Sequence, residues 1–392
     1  MKAITDISLY CIFFVVGAIG PRFGLDFKFF IFFYFLLFVA AVIKDGKFSN
    51  VSFLFPSFLV IAFMLLYRIV VENDNEGIFF ILQSVIVPLF ILGVVVMDLA
   101  LVRKNRIVTY FTKRKKFIVT FFVIECFVAF IEKVLSNYLF AEGVWGVDEG
   151  VSYGFRSAAF LGHPLQNALC VSVIMSFILT SSDFKPLHKY SLTFLGWLSL
   201  LCFNTRSSIL LWFFLIVMSL LGDIFKKGSF KKKVLSVLLI VVGISVVLYF
   251  LFELHWGDRL LYGELMDGSA MTRVNVYDIF DYISETNLWW GTPSDVLWQA
   301  QLRADCLVIE NSFIMFVLHF GIVFTAALVV LVANIIRKLL KDYSFKSKAF
   351  IIITFLLIAN ANNALAVSAI PLAVFFICSV YFTPFNVNNI KS

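Results

Sequence analysis

Three arginines placed beside apolar segments are the residues of this sequence that best suit the binding of an anion. Arg206 lies in a short turn, residues 204–208, between two apolar stretches, and Arg156 directly precedes a third. Arg273 lies in the longest polar segment. A guanidinium beside the free N–H groups at a helix start can bind a phosphate or diphosphate through paired hydrogen bonds. The alternative is that each arginine extends to a membrane interface or pairs with a nearby carboxylate.

A single carboxylate, Glu310, opens the apolar stretch that follows this polar segment. A carboxylate at the edge of a low-dielectric region costs free energy unless it is paired, and such residues are therefore candidates for proton transfer. The alternative is that Glu310 stabilises the first turn of a helix, where its charge complements the helix dipole. Trp289 and Trp290 can offer faces to sugar rings, but an anchoring role at a membrane interface is equally compatible with them.

The sequence contains no motif for a metal site or a nucleotide site. The four histidines are scattered, and no His-Glu-x-x-His pair or cysteine cluster accompanies them. Neither a glycine-rich dinucleotide motif nor a phosphate-binding loop of the nucleoside triphosphatase type occurs. We therefore predict no metal site and no nucleotide cofactor.

The composition indicates the kind of structure that must position these residues. Of 392 residues, 61% are hydrophobic and only 15% are charged, which is not the composition of a soluble protein. At about 20 apolar residues for each crossing of the bilayer, the chain has material for about 12 spans. We predict an all-α polytopic membrane protein in which residues 1–392 form a single membrane domain. The expected spans lie near residues 5–20, 27–43, 51–68, 78–97, 117–131, 158–180, 190–204, 207–222, 234–252, 310–336, 349–360 and 364–382.

The basic residues predict the orientation of these spans. The net charge is +7, but the Lys and Arg residues occur in short runs between apolar stretches and not on one soluble module, which argues against nucleic acid as a partner. Cytoplasmic loops of membrane proteins are enriched in Lys and Arg. Placing both termini in the cytoplasm puts most of the 32 Lys and Arg residues inside. The segments 132–157 and 253–309 then lie outside.

The segment 253–309, between the ninth and tenth spans, is much longer than a connection requires, and long loops are commonly functional. Its tryptophans argue for an ordered structure. After Thr272, four apolar residues follow one another at helical spacing and predict a surface helix over the membrane or a cavity. These residues are Val276, Ile279, Phe280 and Ile283.

Residues of roughly 150–335 resemble the superfamily of O-antigen ligases and polymerases. The turn 204–208, with Arg206, is similar to the family's Ser-Arg-small turn between two spans, and Arg273 resembles the arginine of the family's large external loop. Gly291 is similar to the glycine of that loop. The spacing of Glu310–Asn311, nine residues and Gly321 resembles the ligase pattern, although Glu310 replaces its histidine.

A looser resemblance covers the residues that follow Arg156. The stretch 162–167, which contains His163 and Asn167, is similar to a Pro-Asn region that precedes an apolar helix in the family. A second departure is Phe324, which stands where the ligase pattern has a small residue or Tyr. The missing histidine points away from the ligases and toward the polymerases.

The resemblance implies a fold of the GT-C type and a membrane glycosyltransferase in the bacterial cytoplasmic (inner) membrane, with its active site facing the periplasm. It would polymerise oligosaccharide repeat units carried on undecaprenyl diphosphate into O-antigen or a related surface polysaccharide, without a cofactor. Partners would be the lipid-linked donor and acceptor, membrane lipid and a chain-length regulator protein. Arg206, Arg273 and Glu310 would be catalytic. The residues expected to bind substrate are Arg156, His163, Asn167, Asn311, Trp289 and Trp290.

Two alternatives remain at this stage. A ligase would transfer the finished glycan to lipid A–core. A lipid-linked oligosaccharide flippase, or another transporter, would also have many spans, but related halves and charges deep in several spans are typical of that class. Such a repeat is not evident, and Glu125 is the main charge within a predicted span.

Overall fold

The computed structural model describes residues 1–45, 48–72, 74–141, 155–225 and 268–384, together with parts of 234–256. Every regular element in these ranges is helical, as expected for a helical membrane protein. Short connections join most consecutive helices, so that neighbours in the chain run antiparallel. The longer helices are α1 (Lys2–Arg22), α2 (Phe27–Asp45), α3 (Asn50–Glu72), α4 (Asn75–Ala100), α5 (Ile107–Leu135), α6 (Pro164–Thr180), α7 (Pro186–Phe203) and α8 (Arg206–Phe225). After the segment 226–267 come α9 (Gly268–Asn275), α10 (Glu285–Trp290), α11 (Ser294–Arg303), α12 (Ser312–Leu339), α13 (Phe345–Asn360), α14 (Ala364–Val367) and α15 (Ile370–Tyr381).

Within the described ranges, five helices are long and apolar enough to cross a membrane, namely α1, α2, α3, α4 and α12. Three shorter apolar helices accompany them: α6, most of α8, and α15. The helical, apolar character is thus confirmed, whereas the number of 12 spans stays a prediction, and the ninth expected span, near 234–252, lies mainly outside the described residues.

The short helices α6 and α15 form the centre of the bundle. All residues of α15 are buried, and so is nearly all of α6, and the two helices pack against each other. A helix that is apolar on all sides is stable when other helices surround it, and it then does not need the full thickness of a bilayer.

The two ends of the bundle differ in charge. At one end, Arg114 pairs with Asp6 and Asp98, and Lys115 pairs with Asp183. The connection after α12, which carries several basic residues, lies at this same end because the helices alternate in direction. We call the opposite end the site end: it contains the connections 72–75, 203–206, 304–312 and 360–370 and, of the connection between α5 and α6, the described residues 135–141 and 155–163.

Two predicted spans are interrupted at the site end. Residues 158–163, expected to open the sixth span, are not helical, and α6 begins only at Pro164. The last expected span divides into α14 and α15, because Ser368 has an extended backbone between them. Helix α12 also changes direction, since Gly321 within it has φ +76° and ψ 167°. Periodicity alone does not reveal such breaks, because the residues remain apolar.

The described part of the segment 253–309 folds on a small core of its own. Instead of one helix from Thr272 to Ile283, the chain forms α9 and then a separate 3₁₀ turn, Asp278–Tyr282. Val276 and Ile279 are buried as the apolar spacing predicts. The small core contains Val276, Ile279, Leu297, Ala300, Ala304, Cys306, Ile309 and Leu318, the last of which belongs to α12.

Candidate functional site

A non-helical segment, residues 155–163, enters the bundle at the site end and is held there by two carboxylates of α5. Glu132 is fully buried and accepts hydrogen bonds from Ser157 Oγ (2.7 Å), Ala158 N (3.0 Å) and Ala159 N (2.9 Å). Glu125, seven residues earlier on the same helix face, accepts one from Phe160 N (3.3 Å). Backbone N–H groups buried outside a helix need such partners, and the two glutamates supply them.

Side chains of α6 bind the carbonyl groups of the same segment. Asn167 is fully buried and donates from Nδ2 to the carbonyl of Ala158, while Gln166 Nε2 donates to that of Leu161 (2.8 Å). His163 precedes α6 as its N-cap and accepts a hydrogen bond at Nδ1 from Leu165 N (3.2 Å). His163 and Asn167, which the resemblance assigned to the substrate, thus have structural contacts that shape the segment.

The segment presents Arg156 to the turn that contains Arg206. Arg156 donates from Nε to the carbonyl of Phe203 (3.2 Å), three residues before Arg206. Asn204 ends α7 with φ +52°, a left-handed conformation that Asn tolerates better than most residues, and α8 starts at Arg206. The sequence indicated Arg156 and Arg206 as two separate candidates for anion binding, and in the structure both lie at one turn.

Two buried hydroxyl groups of this turn have no hydrogen-bond partner among the described residues. They belong to Thr205, which is 5% exposed, and Ser208, which is fully buried. The carbonyl of Thr205 accepts the first hydrogen bond of α8, from Ile209 N (3.0 Å), so Thr205 is the residue that caps the helix start. A buried hydroxyl without a partner costs free energy, and a ligand with acceptor oxygens would remove that cost.

Arg273, the third predicted arginine, belongs to α9. Its side chain lies outside the described residues. The backbone of α9 connects to the small core through Val276 N, which bonds to the carbonyl of Thr272 (3.1 Å).

Glu310 and Asn311 lie at the start of α12 and have different roles there. Glu310 precedes α12 and is half-buried, whereas Asn311 is the N-cap and accepts hydrogen bonds from Phe313 N (3.0 Å) and Ile314 N (3.1 Å). Asn311, and not Glu310, is therefore the residue whose side chain caps this helix, and Glu310 lies one residue outside its first turn. Asn311 also donates to Asn360 Oδ1 (2.9 Å), which joins the start of α12 to the end of α13.

Trp289 and Trp290 end α10, which packs against the bend in α12. Trp290 contacts Tyr67 and Phe324, with ring centroids 6.2 and 6.0 Å apart. The bend at Gly321 allows close backbone contact: a Cβ there would lie 2.4 Å from the backbone nitrogen of Gly291. The two glycines that the resemblance singled out are therefore in direct contact.

A buried charge cluster next to this contact was missed from the sequence. Arg68 is 2% exposed and pairs with Glu72 and with Asp74 (3.0 Å). It also donates to the carbonyl of Thr292 (3.1 Å), and Asp74 accepts from Ser294 N (3.3 Å) and Oγ (3.1 Å). The cluster fastens α10 and α11 to the connection between α3 and α4.

One sequence signal could have found part of this cluster. Arg68 and Glu72 are four residues apart beside an apolar stretch, a spacing that allows an ion pair within a helix. Arg68 is the last residue of the expected span 51–68, a position where isolated charges are common. The contacts of Arg68 with Thr292 and of Asp74 with Ser294 join residues more than 200 positions apart, and no local pattern predicts them.

These contacts define two regions at the site end with different chemistry. The turn at Arg206 combines guanidinium groups with buried hydroxyl groups, which suits an anion. The surface at Asp74 and α11 is acidic and aromatic. In the part of the chain that the structure describes, no group of three or more His, Cys, Asp or Glu side chains is arranged to hold a metal ion.

Comparison with known proteins adds no relative from which a role could be transferred. Neither a protein-family model nor any of the curated proteins matches this sequence.

Proposed function

We propose that this protein is a membrane glycosyltransferase of the GT-C type. It polymerises oligosaccharide repeat units, linked to undecaprenyl diphosphate, into O-antigen or a related surface polysaccharide. The reaction takes place on the extracytoplasmic side of the bacterial cytoplasmic membrane. The observation that carries the proposal is the turn 203–208, where Arg156 and Arg206 adjoin the buried hydroxyl groups of Thr205 and Ser208, for which the described part of the chain supplies no partner.

The turn supports this proposal because it matches the needs of a diphosphate leaving group. Phosphate oxygens accept hydrogen bonds from guanidinium, hydroxyl and helix N-terminal N–H groups, all of which occur within a few residues here. Charge on the leaving oxygen grows as the sugar–oxygen bond breaks, and fixed positive groups lower the barrier to that step. A helical, apolar bundle is the setting in which a polyprenyl-linked substrate would meet such a turn.

The proposed reaction transfers a glycan from one lipid carrier to another. A hydroxyl group on the nonreducing sugar of the acceptor attacks the anomeric carbon of the donor glycan. The new bond forms between that oxygen and carbon, while the bond between the anomeric carbon and the phosphate oxygen breaks. Undecaprenyl diphosphate leaves with the bonding electrons, and Glu310 accepts the hydroxyl proton. Arg273 is the third basic group of the proposed site.

Replacing Arg206 tests this proposal. Arg206→Ala should lower polymer yield by about 10²-fold or more, because charge stabilisation of this kind is worth that much in other enzymes. Arg206→Lys should restore little, since a point charge cannot reproduce a bidentate fork. Arg22→Ala is the matched control: Arg22 also lies at the site end but donates to the carbonyl of Leu139 (2.5 Å). Full polymer yield from Arg206→Ala protein would contradict the proposal.

Gels of surface polysaccharide from cells that lack the gene separate the rival functions. Loss of long chains with one repeat unit retained indicates a polymerase. Polymer that stays on its lipid carrier, beside bare lipid A–core, indicates a ligase. The absence of any external intermediate indicates a flippase.

A further inference from the structure

A cavity lies at the site end, between the connection of α3 to α4, the helix α11 and the first half of α12. Its volume is about 900 Å³, within the range of about 300–1,000 Å³ that is common for small-molecule sites. We call it the acidic cleft and define it by Asp74, Glu76, Gln83, Asp295, Trp298 and Gln301, which are among the residues that line it. Neither Arg156 nor Arg206 is among the described residues that line the cleft.

The charge of the acidic cleft excludes the ligand that suits Arg206. Asp74, Glu76 and Asp295 contribute three carboxylates, and Glu72 lines the cleft as well. Arg68 neutralises part of this charge, since it pairs with both Glu72 and Asp74. Phosphate groups would therefore meet repulsion in the cleft, whereas neutral or positively charged ligands would not.

The rest of the lining suits a ligand with many hydroxyl groups. Gln83 and Gln301 donate from Nε2 to the carbonyls of Val367 and Leu307, so their amide oxygens face a ligand as acceptors, and the carboxylates also accept hydrogen bonds from hydroxyl groups. Trp298 is 51% exposed although it belongs to the wall of the cleft, so part of its indole ring is open to a ligand. An aromatic face beside polar acceptors matches the two surfaces of a sugar, which has apolar C–H faces and a polar edge.

The side chain of His319 is a further feature of the acidic cleft that favours a polar ligand. His319 lines it, and its Nδ1 atom is buried and has no hydrogen-bond partner within the ranges that the structure describes. The ring is fixed in position because it stacks on Phe80, with centroids 4.2 Å apart and an interplanar angle of 19°. A hydroxyl group of a ligand would supply the missing partner.

The walls of the cleft are also held in a fixed arrangement. Asp74 caps α4 by accepting from Gly77 N (3.1 Å), and it binds Ser294 at the start of α11. The N–H of Thr292 bonds to the carbonyl of Leu318 in α12 (3.1 Å). All three walls are thus connected by hydrogen bonds, and little ordering remains to be done when a ligand enters.

We infer that the acidic cleft binds a neutral or amino-sugar oligosaccharide. The identity of this oligosaccharide rests on the proposed function, according to which it is the acceptor repeat unit. The acidic cleft would hold the sugars of the acceptor, while the turn at Arg206 would hold the diphosphate of the donor. Recognition of the acceptor by an acidic surface also predicts discrimination against repeat units that carry carboxylate or phosphate groups.

Binding measurements on the purified full chain in detergent test this inference with two probes. One is the oligosaccharide repeat unit released by mild acid from the lipid-linked precursor of the same cells, and the other is inorganic diphosphate. Trp298→Ala should weaken oligosaccharide binding by about 10-fold or more, because it removes an aromatic face, and should leave diphosphate binding unchanged. Arg206→Ala should have the opposite pattern. Leu302→Ala is the matched control, since Leu302 is on the same helix and is also 51% exposed.

Each result bears on one site. Oligosaccharide binding that is equal in Trp298→Ala and Leu302→Ala protein would overturn the inference, as would a wild-type chain that binds no oligosaccharide. Loss of oligosaccharide binding in Arg206→Ala protein alone would move the sugars to the arginine turn. Binding through Trp298 together with normal polymer yield from Arg206→Ala protein would refute the proposed function and leave the cleft standing.

Discussion

Replacing Glu132 by Gln should destabilise the protein by about 4 kcal/mol, because this carboxylate is the main anchor of the segment that carries Arg156. Glu132 accepts four hydrogen bonds and is fully buried. Three of them, from residues 157–159, end on Oε2, and the fourth, from Leu139 N (2.9 Å), ends on Oε1. Both oxygens of this side chain therefore act as hydrogen-bond acceptors, whereas the amide of Gln has one oxygen that accepts and one nitrogen that donates.

The magnitude follows from what Gln can replace. Its amide oxygen can occupy the place of Oε2, but its NH₂ group then faces the N–H of Leu139, and two donors oppose each other. An unsatisfied N–H at this half-buried position costs about 1 kcal/mol, the lower end of the usual range. The other three bonds change from charged to neutral acceptors, at a cost of about 1 kcal/mol each.

The assay is reversible unfolding by denaturant in detergent micelles, with Glu285→Gln as the control because Glu285 is exposed in the first turn of α10. Hydrogen exchange of a peptide that covers residues 155–163 provides a local readout, and exchange there should rise in the Glu132→Gln protein. Unfolding free energies within 1 kcal/mol of wild type, with unchanged exchange, would refute the anchoring role.

Three further predictions concern the bend of α12 at Gly321, the carboxylate of Glu310 and the orientation of the chain in the membrane. Gly321→Ala should cost about 3 kcal/mol or more, because its Cβ would lie 2.4 Å from the backbone of Gly291, whereas Gly24→Ala, at a similar positive φ with no atom within 4 Å, should cost only about 1 kcal/mol. Equal unfolding free energies would contradict this account of the bend. Glu310→Gln should reduce polymer formation by reconstituted protein by about 10²-fold while diphosphate binding persists, and an active variant would remove Glu310 from the proposed mechanism. Single cysteines at residues 145 and 280 should react with an impermeant reagent added outside the cell, whereas those at 110 and 230 should not; the reverse pattern would exclude an extracytoplasmic site.

The sequence was sufficient to predict most helices but not their interruptions. The expected spans near 27–43 and 78–97 correspond closely to α2 and α4, because both are long apolar runs between charges. The segment 158–163 is equally apolar, yet it is not helical, since Glu132 and Asn167 satisfy its backbone from other helices. Such a substitution of tertiary for local hydrogen bonds leaves no periodic signal.

Parts of the candidate site could be predicted from the sequence and other parts could not. Arg156 and Arg206 were identified by type and position, and their meeting at one turn required the structure. The acidic cleft could not be predicted, because its carboxylates and Trp298 come from segments that are separated by more than 200 residues. Asn311 was expected at the substrate, and its observed contacts as an N-cap follow from residue preferences that the sequence contains.

The local pairing of Arg68 has a consequence for biosynthesis. A ribosome releases α3 and α4 into the membrane long before it has made Thr292 and Ser294, and a lone guanidinium at that stage would oppose insertion. Glu72 and Asp74 follow Arg68 by four and six residues, so its charge is compensated as soon as the helical pair emerges. The early hairpin can therefore enter the bilayer without assistance from the rest of the chain and later receive α10 and α11 as they are translated.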